Sequence, residues 1–342
     1  MDDISLGVIA VTAGGILNGS FTFPMKLVTK WRWENIWLLF GIFGLVLMPV
    51  GYAFFSVPHL LEVYRLVTPG TLAIAAALGA AWGTGSLFFG LAISALGISL
   101  GYAITMGATA VFGTLIPAII LQPGLLTTNR GVRLLASLVA ILFGLVLCAI
   151  AGRRRETLDA ESGGPQYRIL TRTAFRQGLL ISLLAGVFSA CFNIGFALMS
   201  QISESAIRLG SDPSNATFSI WALIMAAGFL PNLVYCLWLL RRNRSLSFFR
   251  ETPRNWIYAV AMGLVWIAGV KFYGSGVIKI GAAGALIGWP ILMAFTIITA
   301  NVLGFLTGEW KKTRWSTRIY VYAGLGVLIG AVILAGSAGP QN

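Results

Sequence analysis

The sequence predicts an all-α integral membrane protein that crosses the bilayer ten times. Of its 342 residues, 57% are hydrophobic and only 10% are charged, whereas about 25% of the residues in a soluble domain are charged. Its apolar runs reach the roughly 20 residues that a membrane-spanning helix needs. The runs are unbroken rather than alternating, which favours helices over the strands of a β-barrel. The composition therefore excludes a soluble two-domain enzyme.

Ten apolar runs justify the ten predicted spans. In chain order they are residues 4–24, 35–55, 70–92, 97–121, 131–151, 177–200, 216–240, 256–277, 281–307 and 319–338. Cys148, Cys191 and Cys236 fall inside spans, so we expect them to be small packing residues rather than disulfide partners. The acidic start Met1-Asp2-Asp3 differs from the basic start of a cleavable signal peptide.

Basic residues between the spans predict the orientation. Eighteen Lys and Arg residues lie in the connections that follow spans 1, 5, 7 and 9, against five on the other side. Because basic loops stay in the cytoplasm, we expect periplasmic termini and a location in the bacterial inner membrane. The polar residues 152–176 are predicted to be a cytoplasmic linker between two units, residues 1–151 and 177–342. The basic clusters form no continuous face, so the net charge of +13 does not predict nucleic-acid binding.

An internal repeat relates spans 3 and 8. Residues of the same type recur at a constant offset of 184: Gly79, Trp82, Gly85, Phe88, Gly90 and Gly97 recur as Gly263, Trp266, Gly269, Phe272, Gly274 and Gly281. A weaker match relates Ala13-Gly14 in span 1 to Ala185-Gly186 in span 6. Because five spans separate the copies, the two halves must cross the membrane in opposite directions. Inverted repeats are typical of secondary transporters, whose substrate site lies near the bilayer midplane between the halves.

Several motifs resemble the L-rhamnose–proton symporter family of the drug/metabolite transporter superfamily. They occupy residues 23–26, 30–35, 82–90, 113–117, 288–290 and 301–311. This resemblance implies ten helices arranged as two inverted five-helix repeats. It also implies proton-coupled uptake of L-rhamnose or a related monosaccharide by alternating access. The partners would be the monosaccharide, protons and the lipid bilayer. No cofactor is expected, because the proton gradient would supply the energy for transport.

Polar and aromatic side chains within the spans are candidate sugar ligands. Amides suit a sugar because each offers a donor and an acceptor, and aromatic rings can stack on a pyranose face. The candidates are Asn18, Asn193 and Asn301 together with Trp82, Tyr102, Trp266 and Trp289. The alternative for each amide is an interhelical hydrogen bond, and the alternative for each Trp is anchoring at the membrane interface.

Charged residues near the spans suggest further roles. Lys271 either faces the cavity, which would favour an acidic sugar as cargo, or extends its ammonium group to the outer surface. Proton coupling needs a carboxylate with a raised pKa in a partly dry site. Glu309 is the preferred candidate, because small residues before it let other helices approach. Glu34 is the second candidate, although nearby cations should keep it ionised. The alternative for both is ordinary surface pairing.

Other classes of function have little support in the sequence. The single histidine, His59, is predicted to lie in a loop, so neither a catalytic residue nor an enzyme is predicted. Metal chemistry would need a cluster of ligands, and none is found. A passive channel remains open, and accumulation against a gradient would exclude it. An exporter of a small metabolite or drug-like compound is the remaining alternative on the same fold.

Overall fold

The computed structural model describes residues 3–161, 172–311 and 313–339. Within them, ten helical segments are long and apolar enough to cross a bilayer, which confirms the all-α prediction. We number them α1 (Asp3–Leu27), α2 (Trp33–Ser56), α3 (Pro69–Leu96), α4 (Ile98–Leu121), α5 (Asn129–Leu158), α6 (Thr173–Arg208), α7 (Pro213–Arg242), α8 (Arg254–Ile280), α9 (Gly284–Leu306) and α10 (Trp315–Ser337). Helix α5 thus continues into the predicted linker, of which residues 162–171 lie outside the described residues.

The connections gather at two opposite ends of the helix bundle. At one end, Gln122 donates to the Ala282 carbonyl at 2.9 Å, and Arg133 donates to the Ser337 carbonyl at 2.9 Å. At the other end, Trp31 donates to the Phe248 carbonyl at 2.7 Å. We call the first the terminal end, because it carries the first and last described residues, Asp3 and Gly339. The second is the linker end, because it carries the end of α5 and the start of α6.

Glycines set the close approach of the central helices. Helix α1 packs against α8 and α9, α6 packs against α3 and α4, and α5 pairs with α10. An added Cβ at Gly83 would lie 1.9 Å from the Gly228 carbonyl oxygen, so α3 and α7 meet backbone to backbone. Without a hydrophobic force between helices in lipid, this close packing is what holds such helices together.

Helix α2 departs from regular α-helix in its middle. Residues Gly41–Leu47 form a π-helical stretch. An added Cβ at Gly41 would lie 2.5 Å from the Phe229 ring, and one at Gly44 would lie 3.0 Å from the Gly263 Cα. The wider turn therefore lets α2 pack against both α7 and α8. Such π-helical turns are frequent at functional sites.

Candidate functional site

A cavity of about 530 Å³ lies among eight of the ten helices. Among the described residues, its lining comes from α1–α4 and α6–α9, with none from α5 or α10. Helix α1 contributes residues from its C-terminal part, Asn18 to Met25, and α2 contributes residues from its N-terminal part, Trp33 to Leu45. Both parts lie toward the linker end. The cavity therefore extends from the middle of the bundle toward the linker end.

The centre of the cavity is aromatic. The rings of Trp82 and Trp266 stack with an interplanar angle of 14° and a centroid distance of 6.0 Å. Phe192 lies 4.7 Å from the Trp82 ring. The Nε1 of Trp289 donates to the Thr109 carbonyl at 3.0 Å, so this ring presents only its apolar surface. The buried Nε1 of Trp266 has no hydrogen-bond partner among the described residues.

Polar groups are few and lie on separate walls. Asn18 is half-buried, and its Nδ2 donates to Thr296 Oγ1 at 3.2 Å. Ser189 and Tyr102 line the cavity on α6 and α4. An apolar pocket with a small number of convergent polar groups is the usual form of a small-molecule site.

Asn232 joins three helices within the wall of the cavity. Its Oδ1 accepts hydrogen bonds from Trp37 Nε1 at 3.0 Å and from Ser86 Oγ at 2.8 Å. Its Nδ2 donates to the Gly83 carbonyl at 3.1 Å. The amide is 3% exposed and fully partnered, so it positions the wall rather than offering free groups. Our sequence reasoning missed Trp37 and Ser86, because a Trp near the start of a span is by default an interfacial anchor.

Asn193 was predicted to line the site, but the structure places it behind the cavity floor. Its Nδ2 donates to the carbonyls of Gly113 at 2.9 Å and Ala285 at 3.3 Å, and its Oδ1 accepts from the hydroxyl of Tyr273. The side chain is fully buried. Tyr273 lines the cavity instead. Tyr273 follows Phe89 by 184 positions, the offset of the sequence repeat.

A second pocket of about 180 Å³ adjoins the cavity at the linker end. Asn301 and Glu309 line it, and Tyr102 lines both spaces. Asn301 therefore lies outside the aromatic centre, and its Nδ2 donates to the Ile297 carbonyl of its own helix at 2.9 Å.

Glu309 lies between two cations. Its carboxylate forms an ion pair with Lys26 and another with Arg155 at 2.8 Å, and its side chain is 36% exposed. Burial alone would raise the pKa of this carboxyl, but the hydrogen bond from Lys26 and the charge of Arg155 hold the pKa below its ordinary value. This direction is opposite to the raised pKa that the sequence reasoning expected.

Glu34 forms hydrogen bonds with neutral side chains, and the charge of the expected Arg32 also acts on it. Its carboxylate accepts hydrogen bonds from Asn243 Nδ2 at 2.9 Å and from Ser245 Oγ at 2.7 Å. The residue is 3% exposed. It joins the start of α2 to the end of α7 and is not part of the cavity lining.

Lys271 lies toward the terminal end, away from the cavity lining. Its ammonium donates to Ser214 Oγ at 2.9 Å and to Asn215 Oδ1, and it sits 5.5 Å from the centroid of the Tyr52 ring. Lys271 therefore lies outside the cavity lining, and its ammonium is at the terminal end, where it joins α8 to the start of α7 and the end of α2.

Comparison with known proteins identifies the family. Residues 1–338 match the family described as L-rhamnose-proton symport protein (RhaT). The chain belongs to this family. It is 28% identical over 341 residues to the L-rhamnose-proton symporter of Mannheimia succiniciproducens, covering 97% of each chain. It is 28% identical to that of Cronobacter sakazakii and 27% identical to that of Escherichia coli O1:K1, again over 97% of each chain. The chain is therefore a multi-pass membrane protein of a symporter family.

Proposed function

We propose that this protein is a secondary transporter that takes up L-rhamnose or a related monosaccharide together with protons. The observation that carries the proposal is the aromatic cavity, which is open toward one end of the bundle and closed toward the other. A site in the middle of the membrane that is open to one side is what alternating access requires. Family membership supports transport over catalysis, so no enzymatic step is proposed.

The two halves are proposed to be inverted repeats, residues 1–151 and 177–342. Their packing supports this relation. An added Cβ at Gly85 would lie 2.7 Å from the Ser189 nitrogen, and one at Gly269 would lie 3.3 Å from the Leu17 Cβ. Gly85 and Gly269 differ by 184 positions, and Leu17 and Ser189 differ by 172. The sequence repeat has the same two offsets, 184 between α3 and α8 and 172 between α1 and α6. The contact between α3 and α6 in one half of the relation therefore corresponds to the contact between α8 and α1 in the other.

The sugar is proposed to bind beside Trp82 and Trp266. A pyranose has an apolar face that can lie on an indole ring, and burial of such aromatic surface stabilises binding by about 1.5–3 kcal/mol. The hydroxyl groups would find Asn18 and Tyr102, and the unpartnered Nε1 of Trp266 is a further donor. Trp289 completes the apolar floor, where a methyl group of a deoxy sugar fits.

Proton coupling is proposed to use Glu309. Its two cationic partners come from other helices, Lys26 at the end of α1 and Arg155 on α5. In this linker-open state, both cations stabilise the carboxylate and so drive its proton off. A movement of α1 that withdraws Lys26 would raise the pKa of Glu309 and allow it to bind a proton. Glu34, which forms no ion pair at contact distance among the described residues, is the reserve candidate.

We place the linker end in the cytoplasm and the termini in the periplasm, with the inner membrane as the location. The excess of basic residues at the linker end supports this orientation. The open cavity then faces inward in this structure. Because Lys271 lies outside the cavity lining, the feature that favoured an acidic sugar no longer supports one.

The test is uptake of labelled L-rhamnose by proteoliposomes under an imposed gradient that is acidic outside. We expect accumulation above the external concentration, and we expect a protonophore to abolish it. Protein-free liposomes provide the background. Equilibration without accumulation would identify a channel or a facilitator, and no protein-dependent uptake would exclude rhamnose as the substrate.

A further inference from the structure

The cavity is closed toward the terminal end by Asn193 and Tyr273. The tyrosine hydroxyl donates to the amide oxygen, and the amide nitrogen donates to the carbonyls of Gly113 and Ala285. Asn193 and Tyr273 are 0% and 1% exposed. One amide therefore ties together α4, α6, α8 and α9. Opening the cavity toward the terminal end has to break these buried hydrogen bonds.

The packing of α1 and α6 fixes which residues correspond between the halves. An added Cβ at Gly186 would lie 2.3 Å from the Ala108 Cβ, and one at Gly14 would lie 3.4 Å from a Leu292 methyl carbon. Gly14 and Gly186 differ by 172 positions, and Ala108 and Leu292 differ by 184. The offset of 172 therefore relates α1 to α6, and the offset of 184 relates α4 to α9.

Asn193 and Tyr273 have counterparts at the corresponding positions of the first half of the chain. Counting back 172 positions on α6 and 184 positions on α8 gives Phe21 and Phe89. Both phenylalanines line the open cavity. The Phe21 ring lies 5.0 Å from the ring of Trp266, and the Phe89 ring lies 5.9 Å from that of Tyr102. In this structure, each ring therefore rests on a different aromatic neighbour.

We infer that Phe21 and Phe89 form the gate that closes the cavity toward the linker end. In the state that is closed toward the linker end, α1 would approach α3 and bring Phe21 and Phe89 together. Helices α6 and α8 approach each other in this way in the present structure, where Asn193 and Tyr273 are in contact. This inference rests on the proposed transport cycle. The two gates differ in chemistry, because the Asn–Tyr gate gains buried hydrogen bonds whereas the Phe–Phe gate gains only apolar contact. Since buried hydrogen bonds stabilise a closed gate, the transporter without substrate rests open toward the linker end.

Cross-linking tests whether the two phenylalanines meet. The full-length protein with Cys148, Cys191 and Cys236 replaced by Ala serves as the background. Phe21→Cys combined with Phe89→Cys should form a disulfide, which needs Cα atoms about 4.4–6.8 Å apart, and should do so faster during substrate exchange. The matched pair combines Phe21→Cys with Leu91→Cys, because Leu91 on the same helix is 47% exposed and lies outside the cavity lining. Equal rates for the two pairs, or no disulfide in the first pair, would overturn the gate.

A second measurement transfers the hydrogen bond from one gate to the other. Phe21→Asn combined with Phe89→Tyr gives the linker gate the chemistry of the terminal gate. Gly90→Cys reports access, since a Cβ there meets nothing within 4 Å. One net hydrogen bond raises the closed-to-open ratio about five-fold. Because the protein starts mostly open, we expect an impermeant maleimide supplied at the linker end to label this cysteine up to about three-fold more slowly in the double variant.

Each single substitution should change this labelling by less than about two-fold, because neither creates the bonded pair. Simple addition of the two single effects would contradict the proposal. The labelling needs no transported sugar, so it distinguishes failure of the gate from failure of the rhamnose assignment. If rhamnose uptake is absent while the two substitutions remain coupled, the substrate is wrong and the gate stands.

Discussion

The two ends of the helix bundle differ in the side chains that lie where the cavity can close. At the terminal end, polar side chains from different helices bond to one another in a dry layer, as Asn193 and Tyr273 do. At the linker end, the cavity remains open, and aromatic rings and the partly exposed Glu309 line the space. Buried polar groups are costly unless they are partnered, so a polar seal is stable only when all its members meet.

Under the proposed inverted-repeat relation, this difference would let the duplication favour one direction. Two identical halves would close either end equally well. An Asn–Tyr pair in place of a Phe–Phe pair at corresponding positions would make one closure more stable than the other. The difference in stability between the two closed states would come from the amide and hydroxyl groups. It would not come from the glycine contacts, since Gly85 and Gly269 pack alike.

The largest expected effect concerns which end faces which compartment. A reporter that is active only in the periplasm should be active when fused after Asn342 and silent when fused within residues 162–171. The physical reason is the excess of Lys and Arg at the linker end. Enzyme activity normalised to fusion abundance measures this, with a cytoplasm-active reporter at the same two sites as the reciprocal control. The opposite pattern of reporter activity would place the linker end in the periplasm and the terminal end in the cytoplasm.

The second expectation tests whether the cavity centre binds the sugar. Trp82→Ala should lower the initial rate of rhamnose uptake by about 10- to 100-fold, because it removes an aromatic contact worth about 1.5–3 kcal/mol. Membrane abundance and thermal stability should be measured in parallel. Trp315→Ala is the matched control, since Trp315 is 66% exposed on the outside of the bundle. Equal loss in both variants would make Trp82 a packing residue only.

The sequence was sufficient for the fold because each span is an unbroken apolar run that the membrane itself selects. It was also sufficient for the aromatic centre. Trp82 and Trp266 share an offset with in-register glycines, and an inverted pair of matched residues is expected near the central axis. Both tryptophans line the cavity and stack on each other.

The roles of single polar residues could not be predicted in the same way. Asn18 and Asn193 look alike in sequence, yet one lines the cavity and the other lies behind its floor. The difference depends on which face of each helix meets its neighbours, and composition does not encode this. The partners of Lys271 are Ser214 and Asn215, more than 50 positions away, so no local pattern announces them.

The third expectation concerns coupling at the linker end. Glu309→Gln should abolish accumulation driven by a pH gradient while leaving sugar exchange between loaded vesicles and medium largely intact. The amide cannot carry the proton, but the cavity keeps its shape. Accumulation and exchange are measured in the same vesicle preparation, with Glu156→Gln as a neighbouring control at the same end. Continued accumulation by Glu309→Gln would make this residue a structural ion-pair partner and turn attention to Glu34.

The pH dependence of this carboxylate has a defined sign. Because Lys26 and Arg155 lower the pKa of Glu309 in the folded protein, the pairing contributes stability above the unfolded pKa of about 4.3. That contribution is lost as the pH falls through the lowered folded value. Between about pH 5 and 8 the pairing of this state should therefore stay intact. Labelling of Gly90→Cys without sugar should be divided at each pH by the labelling of the same variant after unfolding, because the thiolate fraction itself rises with pH. This ratio should be constant over the range, and a change centred near neutral pH would contradict the prediction.

The smallest expected effect belongs to Lys271, which lies at the terminal end outside the cavity lining. Lys271→Met removes the hydrogen bonds to Ser214 and Asn215 but keeps the aliphatic stem, so it should loosen the terminal end without altering the sugar site. We expect rhamnose uptake to change by about two- to twelve-fold, the range of one net hydrogen bond. Inhibition of that uptake by excess uronic acid should be unchanged, because no cavity cation is lost. Ser214→Ala, which removes one of the same bonds and no charge, is the matched variant. Loss of inhibition by the anionic sugar in Lys271→Met alone would contradict this expectation. The ammonium would then have to reach the substrate in another state of the cycle. In that case the polar layer of the terminal end would belong to the binding site as well as closing it.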